Sequence, residues 1–318
     1  MRTKLLVVGS LNMDLVAMVD QLPRLGETVT GQRFDTYPGG KGANQAVAAA
    51  RMGASVAMVG AVGQDDYGAR LLEGLIRDGV DIQGVKTLPD LPTGVALITV
   101  SADGHNTITV IPGANGGVQP SDLDLAADAF SACDLVILQL ELPMDTVVAA
   151  ASLAHSYGKK VILNPAPYQP LPETLLQCVD VLVVNEIEGL QLSGLVPDFH
   201  EPGEVSGTSG SGVSGNDFSP ADVLKTLVAL GLPNVLMTMG ADGVYYSGEG
   251  RTGHIPAVKV SAVDTTAAGD TFAGAFAAFW RSVGLEKAVE LAVKAAGIAV
   301  TRPGAQSSIP YEWELSRN

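Results

Sequence analysis

Short, unbroken apolar runs recur along this chain, and most are followed by a longer amphipathic stretch. The runs are Leu5–Val8, Val56–Val59, Leu135–Leu138, Lys160–Leu163, Val181–Val184 and Val235–Met239. The longer stretches are Gly42–Met52, Tyr67–Asp78, Met144–Tyr157, Ala221–Leu230, Asp270–Val283 and Leu285–Ala299. An apolar run that does not alternate with polar residues fits a strand covered on both faces. Strands interleaved with helices give a mainly parallel sheet flanked by helices on both sides, so the fold class is α/β. Such a core needs apolar residues in quantity, and they make up 47% of the 318 residues against 17% charged.

Two segments break the alternation. Asp14–Thr36 follows the first strand without a helix. Thr93–Ile111 reads as a hairpin, with Ala102-Asp103-Gly104-His105 as the turn between Val95–Val100 and Asn106–Ile111. Together, about 14–36 and 93–111, they are expected to form a small antiparallel sheet projecting as a lid; two separate edge hairpins are the other reading. Residues 197–220 are dominated by Gly, Ser and Pro without periodicity, which predicts a flexible surface insertion.

The net charge of −15 opposes binding to nucleic-acid backbones or anionic membranes, though not to a nucleotide held at a local positive site. The two cysteines, Cys133 and Cys178, sit in apolar segments and are expected to be buried thiols of a reducing compartment. With 4 histidines and no CxxC or HxxxH pattern, a transition-metal site is not expected. The first apolar run is too short for a signal peptide, and none approaches the ~20 residues of a membrane span, so the expected location is cytoplasmic.

Asp264-Thr265-Thr266-Ala267-Ala268-Gly269-Asp270-Thr271-Phe272 carries the strongest chemical signal. Small residues lead up to an acid, and an apolar run to Trp280 follows at once. That layout leaves free N–H groups at a helix N-terminus, where they hold an anion, and sets Asp270 beside it. An anion cradle next to a carboxylate base is what phosphoryl transfer to an alcohol requires. An acid near a helix start also suits the helix dipole and nothing more.

Other polar or Gly-rich spots follow strands. Gly39-Gly40-Lys41-Gly42-Ala43-Asn44 opens a helix: its glycines admit a ligand to the backbone, and Lys41 and Asn44 offer donors to hydroxyls or a phosphate. It also reads as a plain turn. It is not a P-loop, and no GxGxxG follows the first strand, which weighs against a nicotinamide-dependent oxidoreductase. Asn12-Met13-Asp14 reads as the C-terminal end of the first strand, suited to grip adjacent sugar hydroxyls or to form a turn. Glu141, after Leu135–Leu138, is a hydroxyl hook or a loop acid. Asn185-Glu186-Ile187-Glu188 suits water around Mg²⁺ or a helix cap with first-turn acids. Thr238-Met239-Gly240-Ala241-Asp242-Gly243 suits nucleotide phosphates or a strand-to-strand turn. Strand geometry brings all of these to one rim of one sheet.

On these residues the chain resembles the ribokinase family of sugar and nucleoside kinases. The resemblance is carried by Gly39–Ala49, Val263–Phe272 and Asn164-Pro165-Ala166-Pro167, with support from Asn185–Glu188, Thr93–Ile98, Pro112–Asn115 and Ala299–Gln306. It runs from about Lys4 to Pro310 apart from the insertion. It implies one domain over 1–318, a three-layer α/β/α fold, and a small β-sheet lid that also forms a homodimer interface. It implies phosphoryl transfer from ATP to the 5-hydroxyl of D-ribose. Asp270 is then the base, and the amides of Ala267, Ala268, Gly269 and Asp270 the anion hole. Asn12, Met13, Asp14, Gly40, Lys41, Gly42, Ala43, Asn44 and Glu141 fall at sugar-binding positions, and Asp270 with them. Asn185, Thr238, Met239, Gly240, Ala241, Asp242, Gly243 and Gly269 fall at ATP-binding positions. Glu188 completes an Asn-x-x-Glu motif linked to Mg²⁺ and phosphate. An activating monovalent-cation site, usually K⁺, matches Asp264, Thr266, Ala299, Arg302, Gly304 and Ser308, several through backbone carbonyls.

Two departures bear on this. Many members of the family place Gly where this chain has Ala267, and Met13 stands where a small residue is also seen. The alternatives are a kinase for deoxyribose, a ketohexose or a nucleoside, and a non-catalytic sugar sensor. Glu141 with Asn12 and Asp14 favours a small polyol over an apolar base, and the intact Gly269-Asp270 pair speaks against a sensor.

Overall fold

The computed structural model describes residues 2–195 and 219–316. The predicted insertion therefore lies outside the described residues, except at its end. There Ser219 caps a helix and Pro220 occupies its first turn, where a missing N–H costs nothing.

In chain order the first elements are β1 (Lys4–Val8), β2 (Asn12–Val19), β3 (Gly31–Gly39), α1 (Lys41–Arg51), β4 (Ser55–Gly63), α2 (Asp66–Arg77), β5 (Asp81–Leu88), β6 (Gly94–Ser101) and β7 (Asn106–Ile111). Then come α3 (Ala127–Ala132), β8 (Leu135–Leu138), α4 (Met144–Ser156), β9 (Lys160–Leu163), α5 (Glu173–Leu176), β10 (Val181–Asn185) and α6 (Glu186–Leu192). The last are α7 (Pro220–Ala229), β11 (Val235–Thr238), β12 (Val244–Gly248), β13 (Arg251–Ile255), α8 (Ala268–Val283) and α9 (Leu285–Ala299).

The main sheet has nine strands in the order β13-β12-β11-β10-β9-β8-β1-β4-β5. It is parallel from β5 through β11, and β12 and β13 add antiparallel strands at one side. Successive side chains of a strand point to opposite faces. In β1, Leu5 and Val7 accordingly enter one core with Ala46, Phe276 and Val289 of α1, α8 and α9. Leu6 and Val8 enter the other with Val147 of α4 and Leu227 of α7. The result is the expected α/β/α sandwich. β5, β12 and β13 carry no unbroken apolar run; their residues alternate in exposure or lie at the sheet's rim, so periodicity did not predict them. Cys133 is buried as expected, whereas Cys178 is only half-buried.

The two irregular segments do join into one sheet, in the order β3-β2-β6-β7. It is mixed rather than antiparallel: each hairpin contributes its first strand to the centre, and β2 and β6 run parallel from Asn12↔Gly94 to Val19↔Ser101. β2 starts at Asn12, so Asn12 and Asp14 begin this second sheet instead of ending the first strand.

Two close approaches bring the site together. A Cβ on Gly42 would stand 2.5 Å from the Gly9 carbonyl carbon, and one on Gly274 would stand 2.4 Å from the Gln45 carbonyl oxygen. Only glycine lets α1 lie this close to the exit of β1 and to α8. The first turns of α1 and α8 therefore face each other.

Candidate active site

Asp270 stands in the first turn of α8 and is 7% exposed. Each carboxylate oxygen accepts one hydrogen bond from α1: Oδ2 from Asn44 Nδ2 and Oδ1 from Gln45 Nε2, both at 2.9 Å. Gln45 Nε2 also donates to Asn164 Oδ1 at 3.0 Å, and Gln45 Oε1 accepts from Gln139 Nε2 at 2.7 Å. A second acidic centre lies nearby. Glu141 Oε2 accepts from Ser10 Oγ at 2.5 Å, from the Lys41 amide at 3.1 Å and from Asn12 Nδ2 at 3.5 Å. Asn115 Nδ2 donates to Asn12 Oδ1 at 2.8 Å and fixes that amide.

Charges are concentrated here. Burial, with Glu141 and Asp270 nearby, pushes Asp14 up to about 7, and Lys41 only partly offsets this. Burial works against the Lys41 ammonium, but Asp270, Glu141, Glu188 and Asp14 together hold its pKa above the ordinary lysine value. Burial also raises Glu188, against the pull of the Asn185 amide and Lys41.

A cleft of about 450 Å³ opens beside Asp270. Its walls include Lys41, Asn185, Glu188, Thr238 and the turn from Ala267 to Asp270. First-turn amides of a helix have no carbonyl a turn before them. In α8 the Ala268 amide turns back to the Thr265 carbonyl at 3.2 Å, which leaves those of Gly269 and Asp270 to face an anion. Ala267 caps the helix in the left-handed conformation, with φ 58°. A Cβ on Gly269 would meet no protein atom within 4 Å. This glycine is thus not demanded by packing, and the space above it belongs to the cleft.

The model of the pfkB family carbohydrate kinases matches residues 2–312. The chain belongs to the pfkB carbohydrate kinase family. The ribokinase of Schizosaccharomyces pombe is 39% identical to this pfkB kinase over 320 residues, which cover 98% of this chain and 96% of the relative. The deoxyribokinase of Salmonella typhimurium is 36% identical over 306 residues, covering 96% of this chain and 94% of the relative. The structure of Arabidopsis thaliana ribokinase complexed with ribose and ATP matches with a TM-score of 0.85 at 29% identity, over 100% of this chain and 98% of that one.

Most residues expected at the site of this pfkB kinase do come together. Asn44 meets Asp270, Asn12 and the Lys41 amide meet Glu141, and Asp14 packs beside Gly39. Asn185 and Glu188 form a capping box at the start of α6, the Asn185 side chain accepting from the Glu188 amide and Glu188 Oε2 from the Asn185 amide. The cap and a place at the cleft are therefore compatible. Thr238, Met239 and Gly240 line the cleft, whereas Ala241, Asp242 and Gly243 do not. Gly243 answers to the turn between β11 and β12: its φ is 93°, and a Cβ would stand 2.1 Å from the Ile255 oxygen.

The residues expected around a monovalent cation also converge. Asp264 accepts from the amides of Thr266 and Gly304, each at 2.8 Å, and its own amide donates to the Val300 carbonyl next to Ala299. Ser308 is buried with its hydroxyl donated to the Ala305 carbonyl. The Arg302 side chain pairs with Glu314, which leaves its carbonyl as the group to consider.

Sequence reasoning did not single out Ser10, Gln45, Asn115, Gln139 or Asn164 as site residues. The available signal was a polar residue where an apolar one would continue the run. Gln45 follows Asn44 into a helix of alanines, and Gln139 and Asn164 each end a strand of aliphatics.

Proposed function

We propose that this chain transfers the terminal phosphoryl group of ATP to the 5-hydroxyl of D-ribose. The observation that carries this reading is the clamped carboxylate of Asp270 at a helix N-terminus that opens on a cleft. The ribokinase relatives, one of them complexed with ribose and ATP, support the choice of sugar and donor.

In this mechanism Asn12, Asp14, Asn44 and Glu141 bind the sugar hydroxyls. Asp270 takes the proton of the attacking hydroxyl as its oxygen bonds to the terminal phosphorus and the bridging oxygen leaves with ADP. The amides from Ala267 to Asp270 stabilise the charge that builds on the transferring group, and Lys41 adds a positive charge. Thr238, Met239, Gly240 and Asn185 border the nucleotide.

The chain fits Mg²⁺ in a limited sense. Among the described residues no three His, Cys, Asp or Glu side chains cluster as a metal cage. Mg²⁺ commonly keeps several waters and takes one carboxylate plus phosphate oxygens. Glu188, with one oxygen left beyond its bond to the Asn185 amide, meets that need. Bound there, Mg²⁺ would neutralise charge on the phosphates. K⁺ fits the loops joined by Asp264, where oxygens of Thr266, Ala299, Arg302, Gly304 and Ser308 would hold it. The small sheet exposes Phe34, Leu97 and Ile108, at 63%, 45% and 56%, which supports its use as a lid and homodimer interface.

The test is ADP release from ATP·Mg²⁺ in K⁺ across ribose, deoxyribose, fructose and adenosine. Preference for ribose is expected. Preference for deoxyribose is the second reading, favoured by the deoxyribokinase relative, and would move specificity to Met13 and the lid. Sugar binding without turnover on any acceptor would make the chain a sensor.

A further inference from the structure

We infer that Gln45 is a positioning residue that sets the plane of the Asp270 carboxylate, held in turn by a chain of amides from the exits of neighbouring strands. The inference rests on the reading of Asp270 as the base.

The chain of amides has only one consistent orientation. The Val183 carbonyl in β10 can only accept, so Asn164 must turn its Nδ2 towards it, at 2.9 Å. Asn164 Oδ1 then faces Gln45 and requires a donor, which makes the Gln45 group there Nε2. That nitrogen has a second hydrogen, and it goes to Asp270 Oδ1. Gln45 Oε1 is left as an acceptor for Gln139 Nε2. A backbone carbonyl of the sheet thereby dictates which face of a side-chain amide meets the base.

Gln45 is fully buried, at 0% exposure, with both amide hydrogens and its oxygen engaged. Burying a polar amide has a desolvation cost that an apolar side chain of the same length avoids. The apolar core between α1 and α8 is built of alanine and phenylalanine, whereas the Gln45 amide meets only the polar groups of Asp270, Asn164 and Gln139. The return is orientation. Asn44 secures one oxygen of Asp270 and Gln45 the other, so the carboxylate cannot rotate about its terminal bond. Its remaining lone pairs stay aimed at the cleft.

The test is a double-mutant cycle with Gln45→Met, a substitution that keeps length and removes the donors. With the intact base, Gln45→Met should lower kcat by about tenfold or more, the size expected for a hydrogen bond to a charged group, while KM for sugar and ATP stays within about threefold by the same reasoning. In the Asp270→Asn background Gln45→Met should cost no further turnover, because the carboxylate it orients is gone. Equal factors in both backgrounds, or unchanged kcat in the single variant, would overturn the inference. If Gln45→Met does not fold by circular dichroism, Gln139→Met enters the same cycle. It leaves the contact to Asp270 in place and removes only the orienting donor. A smaller loss of kcat that vanishes with Asp270→Asn supports the chain of amides, and no loss overturns it. Near-normal turnover in Asp270→Asn alone would instead refute the base, a distinct result.

Discussion

Asp264 Oδ2 accepts a hydrogen bond from the Gly304 amide at 2.8 Å, across 40 residues of chain. The other oxygen accepts from Thr266, just before the left-handed cap of α8. One carboxylate thus ties the turn that leads into α8, the anion cradle of the proposed mechanism, to the loop after α9. Arg51, at the end of α1, holds that loop from the far side through the Gln306 and Ile309 carbonyls, at 2.7 and 2.8 Å.

Because the two loops are joined in this way, an ion bound among their carbonyls would stiffen the cradle. Turnover is expected to be faster in K⁺ than in Na⁺, measured as ADP release at constant ionic strength with a large excluded cation as control. Equal rates in all three salts would remove the site.

Gly269→Ala separates stability from activity. No protein atom opposes the new Cβ, and alanine is the better helix former by up to about 1 kcal/mol. The urea midpoint should therefore hold or rise. The methyl group enters the space next to the open amides, and kcat should fall by about a hundredfold, the scale of losing an anion-hole donor. Retained activity would show that the anion sits elsewhere.

Ala267 bears on the departure noted in the sequence. A left-handed conformation costs a non-glycine residue about 1–2 kcal/mol, and a glycine returns about 0.4–1 kcal/mol of that through its freer unfolded chain. Ala267→Gly should therefore stabilise the fold by about 0.5–1 kcal/mol on these figures, seen as a higher urea midpoint at unchanged slope. A lower midpoint would mean that the Ala267 methyl makes contacts worth more than its strain.

Asp14 supplies a pH dependence. Its carboxyl is raised from 3.8 to about 7 in the free protein, first by burial and then by Glu141 and Asp270. Between about pH 4 and 7 the folded state binds more protons at this site than the unfolded state, so this group makes stability fall as pH rises. Asp14→Asn removes that slope. Urea unfolding at pH 5 and pH 8 should show the variant gaining on the parent protein at the higher pH. The same gain at both values would place the Asp14 titration outside this window.

Much of the fold was legible because burial on both faces leaves unbroken aliphatic runs. β1, β8, β9 and β10 were readable for that reason, and β5 was not, since its Asp81, Gln83 and Thr87 face solvent at the sheet's edge. In the site, the small-residue approach to Asp270 and the glycines before α1 were readable as local patterns. The second strand of Asn12 and Asp14 was missed because β1 and β2 are separated by only a short turn.

By itself the sequence determined the α/β layering, the helix that begins at the small residues before Asp270, and the acids and amides available at strand exits. These depend on the spacing of residues near one another in the chain, which periodicity and backbone sterics report directly. Only the tertiary structure decided that β2 would pair in parallel with β6, that Ala267 would take a positive φ, and that Gln45 would reach across 225 residues to Asp270. The last depends on how closely α1 can approach α8, which Gly274 permits, and all three depend on contacts between segments far apart in the chain, which no local pattern reveals.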